Sequence, residues 1–389
     1  MTQRCDVLIL GGGAIGLATA VELALAGTAV TVLTRSTSEA ALYAAAGMLA
    51  PQAEGITQGA MLKLCLQSRD LYPSWIHGLE QLTGESGGYW PCGILCPTFN
   101  DPSQLWEDLE EKSESAPTQP RQWYDQSAVR ALQPGISPEV QGGWYFPKDA
   151  QVDNRRLGHL LTTAAEQLGV QVKTGVTVTQ LEVQRDRVLS VQTSQGLWRA
   201  DQYLLATGAW SHQILSLPVY PRKGQMMSVL PGETASTLAL EQVLFGPQVY
   251  LVPRRSGEIV IGATSEAVGF APHNTLEGLQ QLIQGATRML PSLATYRPQA
   301  QWWGYRPLTP DELPILGPSP YGNLAIATGH YRNGVLLAPV TAKLMTEWML
   351  HRRLDPMLSD FRWDRWGQVC GSSAKIDRQD CHSRVIARD

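Results

Sequence analysis

The residues best placed to do chemistry lie near the C-terminal end of this 389-residue chain, in Gly329-His330-Tyr331-Arg332-Asn333-Gly334-Val335-Leu336-Leu337-Ala338-Pro339. Residues 323–328 form a short apolar run that reads as a strand, and residues 335–350 read as a helix. A strand, a Gly-containing polar turn and a helix N-terminus together make an anion site. The first helical N–H groups lack partners there, and the helix dipole favours negative charge. Arg332 at that mouth adds a planar cation that can grip a carboxylate with two parallel hydrogen bonds.

A second constellation opens the chain. Gly11-Gly12-Gly13-Ala14-Ile15-Gly16 carries the G-x-G-x-x-G spacing at Gly11, Gly13 and Gly16. It follows an apolar strand at residues 5–10 and begins an Ala/Leu-rich helix at residues 14–26, the context this motif requires. Gly11 permits the tight turn, Gly13 lets backbone approach a pyrophosphate, and Gly16 lets helix pack on strand. The chemistry is dinucleotide binding. The position that commonly carries an acid for the ribose, after the next strand at residues 29–33, is Thr34, followed by Arg35. Thr34 can still donate and accept through its hydroxyl. Arg35 suits either stacking on adenine or pairing with a 2′-phosphate, so this loop alone leaves FAD and NADP both open.

The elements that position these residues follow from periodicity and punctuation. Residues 39–51 are rich in small side chains, as close backbone approach to a ligand requires. Residues 56–82 read as a long helix interrupted at Pro73, and residues 151–169 as a helix opening with cap candidates at 152–154. A meander of short strands follows at 170–173, 176–184, 188–193, 198–200 and 202–205, ending in Ala206-Thr207-Gly208-Ala209-Trp210. Residues 216–300 hold β-like runs at 225–229, 249–252 and 259–262 and one helix at 276–290. This order predicts two interleaved domains, followed by a polar tail at 365–389.

Bulk properties exclude several classes. A net charge of −4, with 43% hydrophobic and 17% charged residues, argues against nucleic acid or an anionic membrane as partner. No apolar run is long enough to span a membrane, and no leader pattern is present, which predicts a cytoplasmic protein. The six cysteines form no framework, and Cys92 and Cys96 have neither a second pair nor a nearby His, so no metal site is expected.

Thr207-Gly208-Ala209-Trp210-Ser211 resembles the second dinucleotide contact of flavoproteins with two dinucleotide-binding motifs. The whole set resembles the D-amino-acid oxidase superfamily of FAD-dependent amine oxidases, and most closely its glycine-oxidase branch. The resemblance rests on the Gly11–Gly16 loop, Ala44-Ala45-Ala46-Gly47-Met48-Leu49-Ala50-Pro51 with Glu54, and the Thr207–Trp210 turn. It continues through Arg222-Lys223-Gly224-Gln225, Tyr250-Leu251-Val252-Pro253-Arg254 and Ile261-Gly262-Ala263-Thr264. The last segments are Gly304-Tyr305-Arg306-Pro307-Leu308-Thr309-Pro310-Asp311 and residues 329–339. It covers the chain to about Trp363; Thr34-Arg35 departs from the Glu-containing form common in the superfamily.

The resemblance implies an α/β fold (α+β overall), in which a Rossmann-like FAD domain is interleaved with a β-rich antiparallel substrate domain. The FAD domain would comprise residues 1–84, 148–215 and 301–364, and the substrate domain 85–147 and 216–300. FAD would be held by Gly11, Gly13, Ala14, Ile15, Gly16, Thr34, Arg35, Ala41, Leu42, Ala46, Gly47, Met48, Val176, Gly208, His330, Tyr331, Arg332, Asn333, Gly334, Val335 and Leu336. Sarcosine oxidases of the superfamily tether flavin to a Cys just before the Thr-Pro-Asp segment; the equivalent position here is Gly304, so FAD is expected to be non-covalent. Arg306, Arg332 and Tyr250 would bind the substrate carboxylate. His330 reads as a flavin contact, and no side chain is assigned acid–base work, because hydride transfer from Cα needs only a neutral, oriented amine.

The implied reaction oxidises glycine, and by extension sarcosine and small D-amino acids, with dioxygen as acceptor. The products are an imine or glyoxylate, ammonia and hydrogen peroxide, and the imine would supply thiazole synthesis for thiamin. A homo-oligomer, up to a tetramer, and a link to thiazole synthase are also implied. The alternatives are a sarcosine or D-amino-acid oxidase or dehydrogenase, or a flavin-binding subunit of a larger complex.

Overall fold

The structure, a computed structural model, describes residues 2–99, 120–232 and 240–366. Its nucleus is the strand Thr2–Leu10, the helix Ala14–Leu25 and the strand Val30–Thr34. Val7, Leu8, Ile9 and Leu10 are buried, as a strand covered on both faces must be. Thr2–Leu10 pairs in parallel with Val30–Thr34 on one side and Gly196–Leu205 on the other. Gln171–Thr174 extends the parallel sheet beyond Val30–Thr34, and Leu324–Thr328 extends it beyond Gly196–Leu205. Helices Ala14–Leu25, Gly59–Thr83, Asn154–Gln167 and Ala338–His351 bury their apolar residues in one cluster on this sheet.

Several expected elements shift. The run at 170–173 is not part of the meander: Gln171–Thr174 lies parallel to Val30–Thr34 in the main sheet. The runs at 198–200 and 202–205 are one strand, Gly196–Leu205, because its paired backbone continues past the exposed Asp201. Pro73 does not interrupt its helix; Gly59–Thr83 runs through it, anchored on either side by buried Tyr72, Trp75, Ile76 and Leu79. The helix expected at 151 begins at Asn154. Ala150–Val152 is a strand, and Asp153 caps the helix by accepting from the Arg155 and Arg156 amides at 3.1 Å each.

The second sheet runs Arg297–Leu308, Tyr220–Leu230, Ile259–Gly262, Tyr250–Pro253, Val243–Phe245, Ile94–Thr98, Gly142–Phe146 and Gln122–Asp125. It is antiparallel except where Val243–Phe245 lies parallel to Ile94–Thr98. A division at residue 300 would cut Arg297–Leu308, which pairs with Tyr220–Leu230 from Leu308↔Tyr220 to Arg297↔Leu230. Residues 301–308 therefore side with the second sheet, and Arg306 is presented from it. At the other end, Arg365 is docked: it donates to both Asp311 oxygens (2.7 and 2.9 Å) and stacks on Trp366. Arg365 and Trp366, expected in the tail, thus pack on the fold, and the rest of that expected segment, residues 367–389, lies outside the described residues.

Candidate active site

One cavity threads between the two sheets and collects most of the residues singled out by sequence. At its middle stands the glycine loop. Gly11 adopts φ 115°, and a Cβ there would stand 2.3 Å from the Ala206 carbonyl oxygen. A Cβ on Gly16 would lie 1.9 Å from the Gly11 oxygen, so Gly16 serves helix–strand packing and does not itself line the cavity. Gly13 is the N-cap of Ala14–Leu25 with no side chain capping it, and the nearest atom to its would-be Cβ is 3.9 Å away. The first amides of that helix are therefore open donors beside the cavity, the feature a pyrophosphate needs.

At one end the cavity is lined by Thr34, Arg35, Glu39, Val176, Gly208 and Trp210. Val176 continues the sheet edge, its amide donating to Thr34 O at 3.1 Å. Arg35 is already committed: its Nε donates to Glu39 at 2.8 Å and its guanidinium stacks 4.6 Å from the Trp210 ring centroid. That pairing offsets the charge a 2′-phosphate would require, which favours FAD over NADP. Glu39, missed in the sequence reading, brings a carboxylate to the end of the cavity where Thr34 stands in the usual acid's place. Its signal was position: an acid five residues past the strand, in a Ser/Thr-rich turn.

The central wall is built from small residues. Ala41, Leu42, Ala46, Gly47 and Met48 line it, and a Cβ on Gly47 would strike Val152 O at 1.9 Å. This segment is held by Arg254, reaching across from the second sheet. Its guanidinium donates to Ala46 O (2.8 Å), Asn154 Oδ1 (2.9 Å) and Gln151 Oε1 (2.9 Å), while Asn154 in turn donates to Leu42 O (2.8 Å). Nothing in the local sequence around Arg254 signals that role. Gly304 also lines the cavity, and a Cβ there would meet Ala44 Cβ at 2.3 Å.

At the other end Tyr250, Arg306, Arg332, Glu54 and His330 meet. Arg306 Nη1 donates to Thr264 O at 3.1 Å, and no described carboxylate lies within ion-pair distance of Arg306 or Arg332. Burial works against the Arg306 charge, as does the nearby Arg332 guanidinium, and together they lower its pKa. Burial also opposes charge on Arg332, but Tyr331, Glu54 and Tyr250 more than offset it and hold its pKa high. Arg332 is exposed and lines both this cavity and the one that adjoins it, so its cation is open to a ligand. Two neighbouring guanidiniums in such a recess call for an anion. The Tyr331 amide donates to Pro307 O at 3.0 Å, which ties the two arginine-bearing segments together.

The turn from 329 to 339 needs a correction. The helix begins at Ala338, because the amides of Leu337 and Ala338 close turns onto Asn333 O (2.8 Å) and Val335 O (3.3 Å). Pro339 has no N–H, and the Val340 amide reaches Ser68 Oγ at 3.4 Å. The helix mouth is thus already satisfied. Among the amides for which no described residue supplies an acceptor are those of Gly334, Val335 and Leu336, in the turn before the helix, and Gly334 and Val335 line the cavity. Asn333 and Leu336 do not line it: both are buried, Asn333 bracing the turn and Leu336 O accepting from Ser68 at 2.6 Å. His330 lines the cavity and sits 3.2 Å from Thr341 Oγ1; burial pushes its imidazole down to about 3, so it is neutral.

Comparison with known proteins fits this arrangement. The sequence profile of the FAD dependent oxidoreductase family, DAO, matches residues 6–348. The chain belongs to this family of FAD-dependent oxidoreductases. It is 52% identical over 362 residues to the bifunctional protein ThiO/ThiG of Trichormus variabilis, covering 93% of this chain and 55% of that protein. It therefore spans about half the length of the bifunctional relatives it matches. It is also 34% identical to a glycine oxidase of Pseudomonas aeruginosa, with 92% and 98% covered. The crystal structure of a glycine oxidase from Geobacillus kaustophilus superposes with a TM-score of 0.85 at 30% identity, over 93% of this chain and 99% of that one.

As a member of this family the chain uses FAD, and its residues fit that cofactor: open helix amides for a pyrophosphate, a cradle of Ala and Gly that leaves no room for larger side chains, and free turn amides at 334 and 335. Among the described residues no cluster of His, Cys, Asp and Glu could hold a metal, and no helix is long and apolar enough to cross a membrane.

Proposed function

We propose that this chain oxidises glycine to its imine, which hydrolyses to glyoxylate and ammonia, with dioxygen reduced to hydrogen peroxide. The observation that carries this reading is the pairing of Arg306 and Arg332, cations without a carboxylate partner, in the cavity that also holds the glycine loop. Arg306 and Arg332 would take the substrate carboxylate, Arg giving the planar fork that Lys lacks, with the Tyr250 hydroxyl beside them. FAD, when bound, would accept hydride from the substrate Cα and return the electrons to dioxygen. It would be held without a covalent bond by the glycine loop, by Thr34, Arg35 and Glu39 at one end and by residues 330–335 at the other. The unpaired amides of Gly334 and Val335 would stabilise negative charge arriving at that end. Neutral His330 would pack as a cofactor contact and move no proton.

The names of relatives support the substrate, and those that join ThiO to ThiG support a destination in thiazole formation for thiamin. Sarcosine and small D-amino acids are the extensions to compare. The test is peroxide production in air from glycine, sarcosine, D-alanine and D-proline, with glyoxylate assayed for glycine and sarcosine, and flavin bleaching by each amine under anaerobic conditions. Glycine should give both products, and a chain that bleaches with none of the four amines would be a flavin-binding subunit instead.

A further inference from the structure

Three side chains, Glu54, Tyr250 and Arg332, line both the cofactor cavity and a second cavity that adjoins it. Among the described residues Glu54 is the carboxylate common to the two. It stands on a tight turn whose Glu54 and Ile56 amides donate to Ala50 O and Pro51 O, each at 3.0 Å. That turn is pinned from behind by a buried ion pair. Asp149 accepts from the Ala53 amide (3.0 Å) and from Arg69 Nη1 (2.8 Å), and Arg69 also donates to Gln52 Oε1 (3.1 Å). Arg69 and Asp149 are 4% and 0% exposed. A scaffold this costly to bury delivers one carboxyl group to the place where two guanidiniums await a carboxylate.

An amino acid enters as a zwitterion. Its ammonium nitrogen has no lone pair to support loss of hydride from Cα, so one N–H proton must leave before oxidation. We propose that Glu54 takes that proton. The proton passes from the substrate ammonium to a Glu54 carboxylate oxygen, and the electron pair of the broken N–H bond stays on nitrogen. The carboxyl group then releases the proton to water in the adjoining cavity. The step involves no net oxidation and needs no co-reactant. It rests on the amino-acid oxidase reading above and adds the residue that prepares the amine.

The groups acting on Glu54 fit this work. Burial raises its carboxyl group to about 7, against the pull of the Arg332 and Arg306 guanidiniums and with a push from Asp149. Cys65 and Tyr250, also beside it, are both held protonated by burial. Glu54 therefore exchanges a proton near neutral pH, as an efficient base should.

The experiment uses flavin-loaded wild type, E54Q and E54D, with two readouts across the neutral-to-alkaline range. The first is the anaerobic rate of flavin reduction by saturating glycine. The second is the affinity for acetate, which carries the carboxylate without the amine, read from the absorbance of oxidised flavin. E54Q should reduce its flavin about 100-fold more slowly near neutrality and recover as rising pH deprotonates free glycine. E54D should keep the wild-type profile. Acetate should bind wild type more tightly as pH falls through about 7, where Glu54 loses its charge, and should bind E54Q without that dependence. An E54Q profile matching wild type would overturn the proposal. So would equal weakening of glycine and acetate with an unchanged saturating rate, which would make Glu54 only an anchor for Arg332. If neither ligand affects wild-type flavin, the amino-acid reading fails first and takes this one with it.

Discussion

The Arg306 guanidinium lies against the bare backbone of Gly224 on the neighbouring strand: a Cβ added there would stand 2.5 Å from Nη1 and 2.7 Å from Cζ. Glycine at 224 is thus a condition for the arginine's position. Gly224→Ala should displace the guanidinium and raise KM for glycine by about 10-fold or more, the range of a lost charge-assisted hydrogen bond. FAD content should be unchanged. Steady-state kinetics with a flavin-to-protein ratio check both halves, and an unchanged KM would separate Arg306 from the carboxylate.

Replacing Arg306 or Arg332 with Lys keeps the charge and removes the planar fork. Each variant should raise KM for glycine by about 10- to 100-fold while FAD stays bound. Unchanged kinetics in both would remove the pair from substrate binding.

Arg254 ties the second sheet to the segment that lines the middle of the cavity. Arg254→Met would leave Ala46 O, Gln151 Oε1 and Asn154 Oδ1 without their donor. Loss of buried hydrogen bonds of this kind costs about 1–3 kcal/mol per stranded group. The variant should purify largely without flavin and melt earlier than wild type, whereas substrate-site variants should not. A flavin-replete R254M protein with wild-type stability would contradict the clamp.

His330 makes a pH prediction with a definite sign. Its imidazole sits at about 3 in the fold and at about 6.5 in an unfolded chain. Between those values the unfolded chain binds a proton that the fold refuses. The stability from this group is therefore complete above about 6.5 and lost as pH falls toward about 3. Between pH 6.5 and 5, wild type should lose about 2 kcal/mol more than His330→Gln. Urea denaturation at both pH values measures the difference; parallel losses would show that the imidazole is not buried neutral.

Much of the fold was legible because its signals are local. The glycine loop reads from steric need at Gly11 and Gly16, and the strand Val30–Thr34 from its apolar run. Most residues expected around the cofactor do line one cavity. What stayed hidden depends on contacts made across the fold. Arg254 finds its partners about a hundred or more positions away, at Asn154, Gln151 and Ala46. The helix start at Ala338 depends on Ser68 and on the turn bonds at 333 and 335. Residues 301–308 change sides because their ladder with Tyr220–Leu230 is a long-range pairing. Glu54 was visible as a residue, but its role rests on the Arg69–Asp149 pin behind it.

Arg306 and Arg332 are proposed to present an amino-acid carboxylate to a flavin held in the same cavity. Anaerobic addition of glycine to the purified yellow protein tests it most directly. The flavin band should bleach fully, and admitting air should restore the colour as dioxygen outlasts glycine, with one hydrogen peroxide formed per glycine consumed; the Arg306→Lys, Arg332→Lys double variant should not bleach at the same glycine concentration. A wild-type flavin that stays oxidised under saturating glycine, or a double variant that bleaches as readily, would contradict it.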